Sequence, residues 1–269
     1  MLEIINEVSQ KRLRELDNFL SFIGIYEDHR RTQAFTRLLA KNRGLIRGKT
    51  GIEAGAGLGI ITELLVKLGA RKVFAVEENA FCCQFLRKKF KGDPRVEVVH
   101  ERIERFRPRR SIDFLFQELY GGLLLDESLL ALERIKFDPG AVIPDGGAIL
   151  AEEVSLAQLK DPTVDRTLAR LLDDALITDM FPYFRFRAPS VIGTWKFSRR
   201  KVDHSLVCKV RGRGGIIALG MEVRHGNARV TGTKECFNWP YSFTPVKSGK
   251  FRLSFKYRNG ATRVYWKWL

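Results

Sequence analysis

A CxxC pair, an apolar run of membrane-spanning length and acidic residues near the C-terminus are what this 269-residue chain conspicuously lacks. The four cysteines (Cys82, Cys83, Cys208 and Cys236) stand at no metal-ligand spacing. No metal is therefore expected, and the thiols are expected to stay free in a reducing, cytoplasmic compartment. No apolar stretch approaches the roughly 20 residues that span a bilayer, so no membrane association is expected. The opening "MLEIINEVSQKRLRELDNFLSF" threads charges through an apolar pattern at helical spacing, which does not read as a signal peptide. Hydrophobic residues make up 45% of the chain, an ordinary folded composition that excludes the fibrous and disordered classes.

The shortage of acid is local. Residues 1–180 hold 28 Lys+Arg and 28 Asp+Glu, whereas residues 181–269 hold 19 basic against 3 acidic side chains. The whole formal charge of +16 thus sits in the last third. Such asymmetry predicts two functional units, the second facing an acidic partner or nucleic acid. The competing reading is a merely solvated surface.

Between residues 50 and 116, strand and helix patterns alternate. "TGIEA", "KVFAVEEN", "RVEVVH" and "IDFLFQE" read as buried strands, with "ITELLVKLGA" and "FCCQFLRKKFK" as helices between them. That order predicts a parallel α/β sheet with right-handed crossovers. The first strand runs into Glu53-Ala-Gly55-Ala-Gly57-Leu-Gly59, a G-x-G-x-G turn rather than the dinucleotide G-x-G-x-x-G. Glycines there let the backbone approach a ligand at the mouth of the sheet. Glu77 ends the next strand, where a carboxylate can accept both ribose hydroxyls. Together with Glu53, the pattern indicates S-adenosylmethionine (SAM) rather than NAD.

"QELYGGLLLDES" (117–128) then places Glu118 and Glu127 nine positions apart in an apolar stretch. On a regular helix nine residues would put them on nearly opposite faces, and Gly121-Gly122 disfavours a helix anyway. A loop that folds back would instead bring both acids to one site.

Over residues 20–269 these features resemble the protein arginine methyltransferases. "GLIRGKTGIEAGAGLGIITELLVKLGARKVFAVEEN" looks like that family's SAM-binding half. The resemblance implies a Rossmann-like class I methyltransferase domain followed by a β-barrel-like domain, with SAM as cofactor and an arginine-containing protein as substrate. It maps the grip on the SAM carboxylate onto Arg31 in "YEDHRRTQAF", a task that suits the guanidinium fork. It maps the adenine contact onto Glu104 in "ERIERF", with Ile103 beside the ring. Glu118 and Glu127 match the family's paired glutamates in spacing and place. They are expected to clamp the substrate guanidinium, Glu118 as main clamp and Glu127 taking up the released proton. The family's Thr-His-Trp loop corresponds here to "CFNWPYSF", so Asn238 replaces the histidine while Trp239 is kept. Asparagine hydrogen-bonds but carries no proton at neutral pH, which puts any proton-relay role of that position in doubt.

The expected organisation is N-terminal helices over 1–45, a SAM-binding domain over 46–146 and a basic barrel-like domain over 147–269. A helical insertion is expected at about 157–182, where the family carries its dimerisation arm. Its apolar stripe of Leu168, Leu171, Leu172, Ala175 and Leu176 suits either core or a homodimer contact. "GGIIALGMEVRHG", "GKFRLSFKYRNG" and "TRVYWKWL" read as strands. The basic and aromatic alternation in "KYRNGATRVYWKW" leaves nucleic acid open as a partner, beside an ordinary wet strand pair. Two further readings stand beside arginine methylation: a nucleic-acid methyltransferase, and a non-catalytic SAM-binding scaffold. Against the first, "QELYGG" stands where base-methylating enzymes carry Asn/Asp-Pro-Pro-aromatic.

Overall fold

The computed structural model describes residues 8–124, 129–159, 165–172, 175–178, 181, 184–197, 205–211 and 215–269. The chain divides into two compact units: residues 1–117 with 137–141, and residues 118–136 with 142–269.

The first unit opens with two helices. Helix α1 (Gln10–Glu27) starts where the Ser9 side chain accepts from the Arg12 amide, and α2 (His29–Lys41) where Asp28 accepts from the Arg31 amide at 3.1 Å. Each cap satisfies an amide donor that the helix itself cannot. One face of α2 is buried through Arg31, Ala34, Phe35, Leu38 and Leu39. Strand β1 (Thr50–Ala54) then leads into α3 (Ile60–Lys67), β2 (Lys72–Glu77), α4 (Ala80–Lys89), β3 (Val96–His100) and β4 (Ile112–Gln117), with β5 (Pro139–Ile143) last. The sheet order is β3-β2-β1-β4-β5. Strands β1 to β4 pair in parallel, with Ile52 opposite both Phe74 and Leu115. Every residue of β1 is buried, as expected of a strand covered on both faces. The chain winds outward from β1 through β2 to β3, then returns to β4 on its other side. Such a reversal opens the crevice in which α/β sheets hold ligands, at the carboxyl ends of their strands.

The second unit is antiparallel and barrel-like. Its elements are β6 (Gly146–Val154), α5 (Arg166–Leu171), β7 (Ile177–Thr178), β8 (Ser190–Lys196), β9 (Ser205–Lys209), β10 (Ile216–His225), β11 (Ala228–Gly232), β12 (Ser242–Pro245), β13 (Lys250–Arg258) and β14 (Ala261–Trp268). One sheet runs β7-β12-β10-β6-β8 with β11 added on β10, and a second runs β14-β13-β9. Phe181, Phe184, Phe186, Tyr241 and Phe243 fill the core of the first sheet with rings packed edge to face. Each such pair contributes about 0.5–1.5 kcal/mol beyond its buried area.

Within the region where a helical insertion is expected, about 157–182, the described residues hold both helix and strand. A 3-10 turn covers Leu156–Leu159 and α5 only six residues, after which Ile177 and Thr178 form a strand opposite Phe243 and Ser242. These β-branched residues gain more from sheet pairing than from another helical turn. Of the apolar stripe, Leu171 is 77% exposed, Leu172, Ala175 and Leu176 are half-buried, and the Leu168 side chain lies outside the described residues.

Candidate functional site

In the first unit, Glu53, Gly55, Gly57, Gly59 and Glu77 of the expected cofactor residues stand at the carboxyl ends of β1 and β2. The turn from β1 to α3 runs through Gly55, Gly57 and Gly59, all with positive φ. At Gly57 both conformation and space demand glycine: φ is +52°, and a Cβ would stand 2.8 Å from the Tyr26 hydroxyl. Three groups fix this turn. The Gly57 amide donates to Glu77 Oε2 at 2.8 Å, and the Leu58 amide donates to the Tyr26 hydroxyl at 3.0 Å. Thr62, one turn into α3, hydrogen-bonds through its hydroxyl to Glu53. Helix α3 has no side-chain cap, so its first amides remain for water or a ligand.

Glu77 is 6% exposed and accepts on both oxygens, the second from the Asn79 amide at 2.7 Å. Burial pushes its carboxyl above the ordinary range, against the lowering effect of those amides. A carboxylate offers about four lone-pair sites, so the backbone amides of Gly57, Glu78 and Asn79 still leave acceptor capacity for a ligand hydroxyl. Asn79 also caps α4, accepting from Phe81 and Cys82. Arg31 and Glu53 are both buried in this unit. Ile103 is buried, while Glu104 accepts from Arg102 Nε at 2.8 Å. The sequence reading missed that pairing, although Arg102 lies only two positions away. It also missed Tyr26, whose hydroxyl holds the glycine turn. An aromatic on an amphipathic helix gave no signal beyond ordinary burial.

The residues present fit SAM. A glycine-lined turn tight enough to exclude a Cβ, a buried Glu77 with spare acceptor sites and the buried Arg31 guanidinium together supply the chemistry of ribose, backbone approach and carboxylate.

Glu118 immediately follows β4 but belongs to the second unit, where it is half-buried. In the loop after it, Leu123 and Leu124 take positive φ, 48° and 61°. Non-glycine residues in this region cost about 1–3 kcal/mol each and persist only where packing enforces them. Both leucines are fully buried. The left-handed backbone here is thus carried by leucines and not by Gly121-Gly122. Gly122 serves a different need: a Cβ there would stand 2.8 Å from Pro240 Cδ. Tyr120 packs edge to face on Trp239 with centroids 5.8 Å apart, and Trp195 flanks it at 6.3 Å. Tyr120 and Trp239 are almost wholly buried, while Asn238 between exposed Phe237 and Trp239 is half-buried. The glutamate loop and the Asn238-Trp239-Pro240 segment are thus packed together, over 110 residues apart in sequence. Glu127 lies outside the described residues.

Comparison with known proteins meets this geometry from three sides. The solved structure "Crystal structure of PRMT6" superposes with a TM-score of 0.69 over 94% of this chain and 99% of that one, at 13% identity. The Trypanosoma brucei PRMT1 enzyme-prozyme complex with AdoHcy gives a TM-score of 0.65, covering 91% of both chains at 14% identity. The fold is that of the protein arginine methyltransferases. In sequence, a probable protein arginine N-methyltransferase 6.1 of Oryza sativa subsp. indica is 32% identical over 142 residues, 51% of this chain and 37% of that protein. Protein arginine N-methyltransferase 6 of Danio rerio is 30% identical over 142 residues, again 51% of this chain and 40% of that protein. The chain therefore covers less than half the length of these relatives. Residues 40–114 match the family described as ribosomal RNA adenine dimethylase. That match spans the glycine turn and the first three strands, ends within β4 and stops before Glu118.

Proposed function

We propose that this chain is a SAM-dependent methyltransferase whose substrate is the guanidinium of arginine in proteins. The observation that carries the reading is the Glu118 loop packed on the Asn238–Pro240 segment, beyond the reach of the match to adenine dimethylases. The named relatives and the shared fold support it.

Arg31, Glu53, the turn Gly55–Gly59, Glu77, Ile103 and Glu104 would hold SAM. Bound there, it supplies an electrophilic methyl group. Glu118 accepts charge-assisted hydrogen bonds from the guanidinium and fixes its plane. The apolar packing of Tyr120, Leu123 and Leu124 beside it strengthens that grip by excluding water. The carboxylates draw positive charge away from the attacking nitrogen, and positioning of this kind is worth on the order of 7–11 kcal/mol. Glu127 takes up the released proton, a role that rests on its matching position in the sequence.

Exposed Leu171 supports docking of a second copy at the α5 segment. Four free, buried cysteines support a reducing, cytoplasmic setting. A second reading, methylation of a nucleic-acid base, is favoured by the match over residues 40–114. Transfer of labelled methyl from SAM to a cell extract separates the two. The expected product is methylarginine on protein hydrolysis, reduced about 100- to 1,000-fold by Glu118→Gln with SAM affinity intact. Label in nucleic acid would establish the second reading. SAM binding without any transfer would leave a scaffold.

A further inference from the structure

The antiparallel sheet of β9, β13 and β14 has one apolar and one cationic face. Leu206, Cys208, Phe251, Leu253 and Phe255 are buried on the first. On the other, Lys209, Lys250, Arg252, Lys256, Arg258, Arg263 and Lys267 are all exposed. None of the three strands contains Asp or Glu, and neither does any position from 236 to 269.

A solvated strand face mixes its charges, and like charges directly opposite one another destabilise a sheet. Here the register sets three such pairs face to face: Lys250 opposite Lys209, Arg252 opposite Lys267, and Lys256 opposite Arg263. On β10 and β11, by contrast, two arginines meet carboxylates. Glu222 pairs with Arg224 and with Arg229, and Arg229 also meets Glu235. Those are two of the three acids of the last third, and both lie off the cationic sheet. Carboxylates thus lie beside β10 and β11, whereas β13 and its two neighbouring strands carry none of their own.

Between the cationic rows lies an uncharged one. Ser205, Ser254 and Tyr265 stand opposite one another across the three strands, with the two serine hydroxyls 3.4 Å apart. Tyr265 is 44% exposed and carries Lys256 Nζ 5.4 Å from its ring centroid. Along β13 alternate side chains repeat about every 6.8 Å, so Lys250, Arg252, Lys256 and Arg258 form a line of charge about 27 Å long. We infer that this face binds single-stranded RNA. Phosphates follow the cationic line, a base stacks on Tyr265, and the hydroxyl row meets the 2′-hydroxyls that distinguish RNA from DNA. An acidic protein segment would use the cations but neither the exposed ring nor the hydroxyls.

The test is fluorescence anisotropy of the full chain with a labelled 20-nucleotide oligouridylate across a salt series. The matching DNA and polyglutamate serve as competitors. Each phosphate neutralised contributes about −0.7 to the slope of log K against log salt. Replacing Lys250, Arg252 and Lys256 by Gln should flatten that slope by about 2, and each single substitution by about 0.7. Because one member of each opposed pair is removed, the triple variant should melt no lower than wild type. Tyr265→Ala should weaken binding about tenfold at unchanged slope. Equal binding by wild type and triple variant would overturn the inference, as would a melting point well below wild type. Polyglutamate or DNA competing as well as RNA would overturn the assignment to RNA.

Discussion

Two loops carry the proposed chemistry, and they hold their shape by opposite means. The glycine turn of the first unit is held by hydrogen bonds: Glu77 takes the Gly57 amide and Tyr26 takes that of Leu58. Its backbone strain is removed by choosing glycine. The Glu118 loop of the second unit is held by packing, with Tyr120 on Trp239 and Gly122 against Pro240. Its strain is retained at Leu123 and Leu124 and offset by their burial. The difference suits the two tasks. A cofactor is recognised by donors and acceptors, which a polar network leaves on offer, whereas a guanidinium clamp needs carboxylates in a dry, rigid setting.

Removing the ring under the packed loop is the strongest way to break that contrast. Trp239→Ala should cost about 3–5 kcal/mol of stability, the usual range for a buried aromatic. Methyl transfer should fall with it while SAM affinity per folded molecule stays level. Chemical denaturation and calorimetric titration of SAM measure the two effects separately. An equal loss of cofactor affinity would show that the loops are not independent.

The reciprocal change acts on the polar network. Glu77→Ala should weaken SAM binding about 10- to 100-fold, the worth of hydrogen bonds to a charged group, and transfer should recover at saturating cofactor. Unchanged affinity would remove Glu77 from the ribose site. The pH dependence follows from burial, which raises this carboxyl above its reference value of 4.5. As pH falls through the raised pKa the charge is lost, so SAM affinity should decline at a higher pH than an ordinary carboxylate would give. For the cofactor-free protein the sign is opposite. Protonated Glu77 is the form that burial favours, so its contribution to stability is full below about 4.5 and lost as pH rises through the raised pKa. A flat affinity profile down to about pH 4.5 would contradict the assignment.

Gly122→Ala sharpens the comparison at smaller cost. The added methyl has no room beside Pro240, and overpacking of this kind costs about 1–3 kcal/mol. The displacement falls on the Glu118 loop, so KM for a peptide substrate should rise while that for SAM does not. A rise in both would make Gly122 a general folding residue.

How much of this was legible in the sequence tracks the span of each interaction. The parallel strands, the glycine turn and Glu77 were readable because each signal lies within about 30 residues of the next. The antiparallel strands over 216–225, 250–258 and 261–268 were readable from alternation alone. The support under the Glu118 loop was not, because Tyr120 and Gly122 find their partners at Trp239 and Pro240. Only the resemblance brought those segments together. The strand at Ile177–Thr178 was hidden for a related reason: apolar spacing permits a helix through Ile177, and only the distant Phe243 makes it a strand.

The smallest expected effect concerns Asn238, which stands where the family it resembles carries a histidine. Asn238 is half-buried beside Trp239, whose ring is fixed by Tyr120, so its backbone is held by the same packing as the Glu118 loop. The side chain offers hydrogen bonds at every working pH and a proton at none. Asn238→His would introduce a group titrating near pH 6.5 without a large change in volume. If this position faces the substrate guanidinium, the rate profile should gain an inflection near that pH. The protonated imidazole would repel the substrate below it, by about threefold to tenfold in kcat/KM. Stability should change by less than about 1 kcal/mol, since a half-buried site tolerates the exchange. A profile identical to wild type, with stability intact, would place Asn238 outside the substrate's reach. The contrast between the two loops would then rest on Glu118 alone.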